Sequence, residues 1–381
     1  MKITVLSHNL STNAVMRAYR VAEAARRFAE VTLAGPVEES RGPWPALPSE
    51  PWIVAATERR FPKFAKSFLE LVAAADGDVL IAVKPQLASF GVGLVAAEQR
   101  GVPLVLDMDD LDVALAPRAE WEAHPEMADV RRPASAVYVS LLTRAVGAAS
   151  AITVASTALQ RRFGGTLVPH GSSTEIFDPA AVDRGEARAR FGFDGPTVVF
   201  PGTPRAHKGL WTLAQAIAKI PGARLAVPCR EKDLSEPEWR TVPLTRIPLI
   251  PYGSMPQLHA AADVVAIPQS AGEAASYQMP MKVYDAMAMG RPIVATSVSD
   301  LPLALEGCGR LVPPDDASAL ADAISGLLAN PEHAAALGRR ARARALQLYA
   351  TERVAETLQG VIARLTAPEP RGRVEREKVL S

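Results

Sequence analysis

In the stretch "SYQMPMKVYDAMAMGRPIVAT", residues 276–296, Lys282 and Asp285 lie three positions apart, which puts both on one face of a helix. Such a pair can be an ordinary intrahelical ion pair worth about 0.2–0.5 kcal/mol. It can equally set Lys282 on a phosphate and Asp285 on the vicinal hydroxyls of a ribose, as acidic residues do at other nucleotide sites. A second stretch, "PGTPRAHKG" at 201–209, places Arg205 and Lys208 in the loop after a strand, with Lys208 at the mouth of the next helix. Basic loop residues are common, but two cations beside free helix N–H groups suit a diphosphate. A third, "GVPLVLDMDDLD" at 101–112, ends a buried strand in Asp109 and Asp110. These either cap the next element or offer a carboxylate that accepts a proton or stabilises developing positive charge. His170, in "VPHG", stands at another strand end, where a hinge or packing role competes with a catalytic one. His8, His124 and His207 show no metal-ligand spacing, and no Ser/His/Asp arrangement stands out.

Short apolar runs alternating with helical patterns must position these residues. Through the first 175 residues the strands read "ITVLS", "VTLAG", "WIVAA", "DVLIAV", "PLVLDMD", "AITVAS" and "TLVPHG", with helices expected near 13–28, 63–75, 89–100 and 135–148. Strands alternating with helices imply a mostly parallel sheet covered on both faces. A polar, Gly/Pro-punctuated connection follows, and the pattern restarts with "TVVFPG", "ARLAVPC", "DVVAIP", "PIVAT" and "GRLVP", with helices near 208–220, 255–262, 281–289 and 317–328. In the stretch quoted first, Pro280 suits a first helical position and Gly290 a left-handed stop, after an unusually long loop entering the helix. The fold class is therefore α/β, with one Rossmann-like domain over residues 1–178 and a second over 190–349. A ligand site is expected in the cleft between their sheets. Residues 334–365 read as helical with a break near 349–351, and 367–381 as a flexible charged tail.

With 381 residues, 48% of them hydrophobic and a net charge of +1, the chain is a globular protein of about two domains with no footprint for a nucleic-acid partner. Two distant cysteines, Cys229 and Cys308, argue against a disulfide framework or a zinc site and fit a cytoplasmic setting. The N-terminus reads as a strand rather than a signal peptide, and no run of about 20 apolar residues exists to span a membrane. Arg17, Arg20, Arg26 and Arg27 cluster on the first helix; the expected reading is a solvated face, the alternative peripheral contact with an anionic membrane surface or substrate. Neither first strand is followed by G-x-G-x-x-G, which counts against a nicotinamide dehydrogenase.

"PMKVYDAMAMGRPIVAT" resembles the signature of GT-B glycosyltransferases of the GT4 type, a Glu-x7-Glu or Pro-x-Lys-x-x-Glu element before an "AMA-x-G-x-P" turn. "ITVASTALQRRFGGTLVPHGSSTEIFDP", "PGTPRAHKGL", "PQLHAAADVVAIPQS" and "GRLVPPDDASALADAI" resemble further motifs of that family, in the same order along most of the chain. The resemblance implies the GT-B fold and a retaining, metal-independent glycosyltransferase with no cofactor. A nucleoside diphosphate sugar donor would bind the second domain and a small-molecule, glycan or lipid-linked acceptor the first, with the helix at 350–366 crossing back onto the first. It implies that Asp285 binds the donor ribose and that Lys208 neutralises the diphosphate. Gly202, Thr203, His170, Gln278, Met281 and Lys282 are the accompanying candidates for donor contacts.

Departures from that pattern are specific. Tyr277 stands where the family has its first glutamate, with Glu273 as a possible substitute; Gly202-Thr203 replaces Gly-Arg, with Arg205 compensating; and Asp109 aligns with a histidine near the reacting sugar. Asp109, Arg205 and Lys208 are thus the catalytic candidates. A nucleotide-sugar epimerase and a catalytically silent nucleotide-sugar binding module remain alternatives.

Overall fold

The computed structural model describes residues 1–38, 40–44, 53–57, 60–115, 124–230 and 233–367. All but the first residue of the expected tail lies outside them.

The buried β-branched runs form strands and the amphipathic stretches between them form helices. The first half runs β1 (Lys2–Leu6), α1 (Val15–Ala25), β2 (Glu30–Glu38), β3 (Ile53–Thr57), α2 (Lys63–Ala74), β4 (Val79–Val83), α3 (Val92–Arg100), β5 (Leu104–Met108), α4 (Ala136–Arg144), β6 (Ala151–Val154), α5 (Thr157–Phe163) and β7 (Thr166–Leu167). After α6 (Arg184–Phe191), the second half runs β8 (Thr197–Val199), α7 (Leu210–Ile217), β9 (Arg224–Pro228), β10 (Leu244–Ile247), α8 (Met255–Ala261), β11 (Val264–Ile267), α9 (Glu273–Tyr277), α10 (Lys282–Ala288), β12 (Ile293–Thr296), α11 (Leu301–Ala304), β13 (Arg310–Val312) and α12 (Ala317–Ala329). Helices α13 (Pro331–Arg344) and α14 (Thr351–Thr366) close the chain.

Among the described residues there are two parallel sheets, ordered β3-β2-β1-β4-β5-β6-β7 and β10-β9-β8-β11-β12-β13. Registers such as Ile3↔Val79 and Val265↔Ile293 keep every strand pointing the same way within its sheet. In both sheets the winding reverses beside the first strand, between β1 and β4 and between β8 and β11. Loops diverge at that reversal and leave a crevice at the carboxyl edge, the place where doubly wound sheets bind ligands.

The two halves share one apolar core. Tyr19 of α1 packs edge-on to Tyr252 with ring centroids 5.8 Å apart, and Tyr252 meets Phe177 at 5.4 Å. Helix α14 lies against α1, its Val354 and Ala355 buried with Ala24 and Val168. Among the described residues no helix is long and apolar enough to cross a membrane.

Several local expectations are corrected. Helix α10 begins at Lys282 with Met281 before it, so Pro280 lies outside the first helical position. Gly290 does stop the chain in the left-handed region, at φ +60°. The loop entering α10 contains α9, and β10, α5 and α11 are elements that short, mixed runs did not announce. The larger correction concerns α1, which is not a solvated basic face at Arg17 and Arg20. Both guanidinium groups are buried, at 1% and 4% exposure, because α1 is covered by α14 and by the second half of the chain. They are therefore not available to a membrane surface.

Arg17 is satisfied within the first sheet. Its Nε and Nη2 donate to the two oxygens of Asp107 at 2.7 Å each, and Nη2 and Nη1 donate to the carbonyls of Val168 and Pro169. Thr153 adds a 2.6 Å hydrogen bond to Asp107, so both oxygens of the carboxylate near the end of β5 are engaged. Removing one partner of such a pair strands the other in the interior. Arg17→Ala is expected to cost about 3–5 kcal/mol of folding free energy, read by chemical denaturation; a loss below about 1 kcal/mol would show that Asp107 does not depend on Arg17.

Candidate active site

A cleft of about 360 Å³ opens between the carboxyl edges of the two sheets. From the first half it receives His8 after β1, Lys84 after β4, Asp109 and Asp110 after β5, and His170. From the second it receives Gly202, Thr203, Arg205 and Lys208 after β8, and Gln278, Met281, Lys282 and Asp285 around the start of α10. Most of the residues picked out by type and spacing are thus brought together. Tyr277 and Glu273 are not. The Tyr277 hydroxyl accepts from Arg162 at 3.3 Å and its carbonyl from Ser156 at 2.7 Å, which ties α9 to α5; Glu273 is exposed in the first turn of α9. Neither lines the cleft.

One wall is cationic. Lys208, Lys282 and Arg205 converge with little to neutralise them: Lys208 Nζ makes a long 3.4 Å bond to the Thr203 carbonyl, and Arg205 reaches Asn13 at 3.2 Å. Burial, together with Lys282 and Arg205, pulls the Lys208 ammonium well below the ordinary lysine range. Burial, with Arg20 and Arg205 and against Asp285, pulls Lys282 down to about 8. Two lysines depressed by burial and by neighbouring cations in a part-buried cleft are poised for an anion, whose arrival would relieve both desolvation and repulsion. The loop that carries them is seated by Gly209, at φ +61°, where a Cβ would lie 1.7 Å from the Pro268 carbonyl oxygen at the end of β11. Only glycine allows that approach.

The opposite wall is acidic around one ammonium. Lys84 Nζ lies 2.8 Å from Asp109 and 3.8 Å from Asp112 and bonds Asp110 closely. Lys84 itself adopts a left-handed backbone, φ 71°, an energetic cost that the three carboxylates hold in place. Burial pushes Asp109 up to about 7, with Asp110 adding to it and Lys84 opposing. Burial also works against Asp110, but Lys84 and a 2.6 Å hydrogen bond from Gln278 outweigh it and hold that carboxyl down at about 2. Adjacent carboxylates pushed apart in this way divide into a fixed anion and a group able to exchange a proton near neutrality. The Gln278 bond also crosses the cleft, linking the two halves. Burial, with Arg17 and Arg20, holds His170 well below its usual value, so its ring is neutral.

Asp285 is engaged from the first half of the chain. Arg20 Nη2 lies 2.7 Å from both its oxygens, Ser172 Oγ donates to Oδ1 at 2.8 Å, and Arg20 Nη1 donates to the Gly171 carbonyl. A carboxylate has about four lone-pair sites, so Oδ2 retains capacity for one more donor. Reading motifs did not find Lys84 or Arg20 as members of the site. The signal for Lys84 was present, a lysine directly after the buried run "DVLIAV"; Arg20 stood out only as one of four clustered arginines suited to an anionic surface or substrate, and the tertiary fold alone places it in the cleft opposite Asp285.

Two parallel, doubly wound sheets with facing carboxyl edges and a cation-lined cleft between them define the GT-B class of fold. Solved structures of that class superpose over nearly the whole chain. The Anabaena protein HepE in complex with UDP-glucose does so with a TM-score of 0.71 at 18% identity, covering 96% of this chain and 100% of that one. Sucrose-phosphate synthase from Thermosynechococcus elongatus does so at 0.69 and 21% identity, covering 96% and 99%. Residues 195–330 match the family model described as glycosyl transferases group 1. The D-inositol 3-phosphate glycosyltransferase of Xylanimonas cellulosilytica is 30% identical over 311 residues, 73% of this chain and 70% of that protein. The chain belongs to the glycosyl transferases group 1 family. Its match to the Mycobacterium avium protein of the same name, 32% identical, spans 46% of this chain and 44% of that protein, less than half the length of that relative.

The acidic wall yields a stability test. Lys84→Met removes the ammonium that three buried carboxylates share, and breaking such a cluster is expected to cost about 3–5 kcal/mol. Without Lys84 the carboxyls' folded pKa values rise above their unfolded ones, so the variant should lose more stability as pH climbs from 5 to 8. Denaturation across that range checks it; a loss independent of pH would mean the carboxylates have another counter-charge.

Proposed function

We propose that the protein is a glycosyltransferase that moves a sugar from a nucleoside diphosphate sugar to an acceptor bound against the first domain. The observation that carries this reading is the convergence of Arg205, Lys208 and Lys282, under-neutralised, at the crevice of the second sheet. As the bond from the anomeric carbon to the diphosphate breaks, negative charge grows on the leaving oxygens. Fixed cations there stabilise the transition state more than the ground state. The protein's own side chains thus supply the neutralising charge, and no metal or cofactor is required. Asp285 Oδ2 accepts from a ribose hydroxyl while Arg20 and Ser172 fix its orientation. Asp109, pushed up to about 7, takes the proton of the attacking acceptor hydroxyl or faces the positive charge developing on the sugar. Transfer with retention of configuration is the outcome the family pattern favours. HepE has been solved with UDP and with UDP-glucose, which makes uridine diphosphate the first donor half to try.

Two measurements test the cationic wall. Lys208→Ala is expected to lower turnover by about 10²–10³-fold with an unchanged circular dichroism spectrum; near-normal turnover would remove Lys208 from this role. Lys282 carries its charge below about 8 and loses it above. UDP affinity, titrated by calorimetry, should therefore be greatest below pH 8 and fall by up to about tenfold per pH unit above it. Lys282→Met should weaken binding at pH 7 and flatten the profile. A wild-type affinity independent of pH between 7 and 9 would count against Lys282 as a phosphate ligand.

A further inference from the structure

A second cavity, of about 450 Å³, lies wholly within the first half of the chain and adjoins the cleft, sharing His8, Asp112 and Leu115 with it. Part of its lining is apolar, with Phe64, Ala88, Met127 and Val139. Its polar groups set it apart from the cationic wall. Gln86, Asp112 and Ser135 are each more than nine-tenths buried, at 8%, 8% and 2% exposure. Gln86 Nε2 donates to Asp112 Oδ1 at 3.1 Å, which leaves Gln86 Oε1 and Asp112 Oδ2 without a hydrogen-bond partner among the described residues. Ser135 Oγ and His8 Nδ1 are likewise unpartnered. Such orphaned groups cost free energy until something binds them.

Resting on the glycosyltransferase reading, we propose that this cavity takes the acceptor, and that the acceptor is an unphosphorylated polyhydroxyl compound, a free sugar or cyclitol. The hydrogen-bond inventory calls for hydroxyl donors at these groups. A carboxylate oxygen and an amide carbonyl need donors, which sugar hydroxyls supply and the oxygens of a phosphate dianion do not. Charge points the same way. Asp112 and Glu126 line the cavity with Arg132 as the cation among its described lining, Glu38 there is paired with Arg41, and the nearby Lys84 is already shared by three carboxylates. Apolar side chains beside convergent polar groups suit the alternating C–H and hydroxyl faces of a sugar ring. The diphosphate of the donor is therefore drawn to the cationic wall of the cleft, and a hydroxyl donor to the adjoining cavity. The relatives named for inositol 3-phosphate act on a phosphorylated cyclitol, so the inference separates this chain from them in acceptor class.

The test compares free monosaccharides and cyclitols, myo-inositol included, with their monophosphates, first by thermal shift at saturating UDP and then by transfer from the sugar donor that UDP titration supports. At least one unphosphorylated polyol is expected to raise the melting temperature and accept sugar, with its monophosphate at least tenfold lower in kcat/KM. Ser135→Ala should raise KM for that polyol several-fold. Glu126→Lys, on an exposed turn, should narrow the preference against the monophosphate at least threefold. A monophosphate used as well as its parent polyol, or no shift by any polyol, overturns the inference. Absence of UDP binding overturns the donor reading alone, because the thermal shift still reports whether the cavity prefers polyol to phosphate.

Discussion

Arg20 reaches from the first half of the chain to both oxygens of Asp285 in the second, and the whole cleft depends on that buried ion pair. Two charges taken out of water repay their desolvation only with good geometry and with their remaining hydrogen-bonding capacity satisfied. Here the Gly171 carbonyl and Ser172 hydroxyl take up part of that capacity, Arg20 Nε has no hydrogen-bond partner among the described residues, and the Tyr252 ring lies 5.6 Å from the guanidinium carbon. Burial therefore fixes α1 against α10, and with them the distance between the acidic and cationic walls. One turn earlier on the same helix, Arg17 locks α1 to the end of β5. The pair of arginines makes α1 the piece that registers one sheet against the other.

From that registration follows a division of labour by charge. The second sheet's crevice holds lysines that burial and neighbouring cations depress; the first holds carboxylates gathered on Lys84. Each wall is unfavourable alone, and they meet across the bond from Gln278 to Asp110. A nucleoside diphosphate sugar spanning them would place its diphosphate on the cations and its sugar toward the acids. Catalysis by fixed charges requires that arrangement to exist before substrate arrives, so that no reorganisation is needed in the transition state. The left-handed backbone of Lys84 and the contact of Gly209 with Pro268 are local costs of holding it.

Much of this was legible in the residues themselves. Runs such as "DVLIAV" and "DVVAIP" are too apolar and β-branched to be anything but buried strands, and their alternation with helices dictates parallel doubly wound sheets. The turn at Gly290 and the loop around Lys208 followed from local stereochemistry and charge. Less was legible where short elements mix polar and apolar residues, as in β10, α9 and α11, because a run of four or five residues carries too little periodicity.

By itself the sequence determined the two-sheet architecture and the placing of Lys208, Lys282 and Asp109 at strand and helix ends, because local patterning decides which segments are buried. It did not determine what each charge would meet. Arg17 and Arg20 read as a solvated face, yet the packing of α14 and of the second half over α1 turned them into buried clamps. Tyr277 aligned with a donor contact, yet the fold turned it toward Arg162. Lys84 passed unnoticed, yet three carboxylates from residues 109–112 close on it. Ion pairing between groups 26 to 265 residues apart is a property of distance in space, and only the tertiary structure sets that distance.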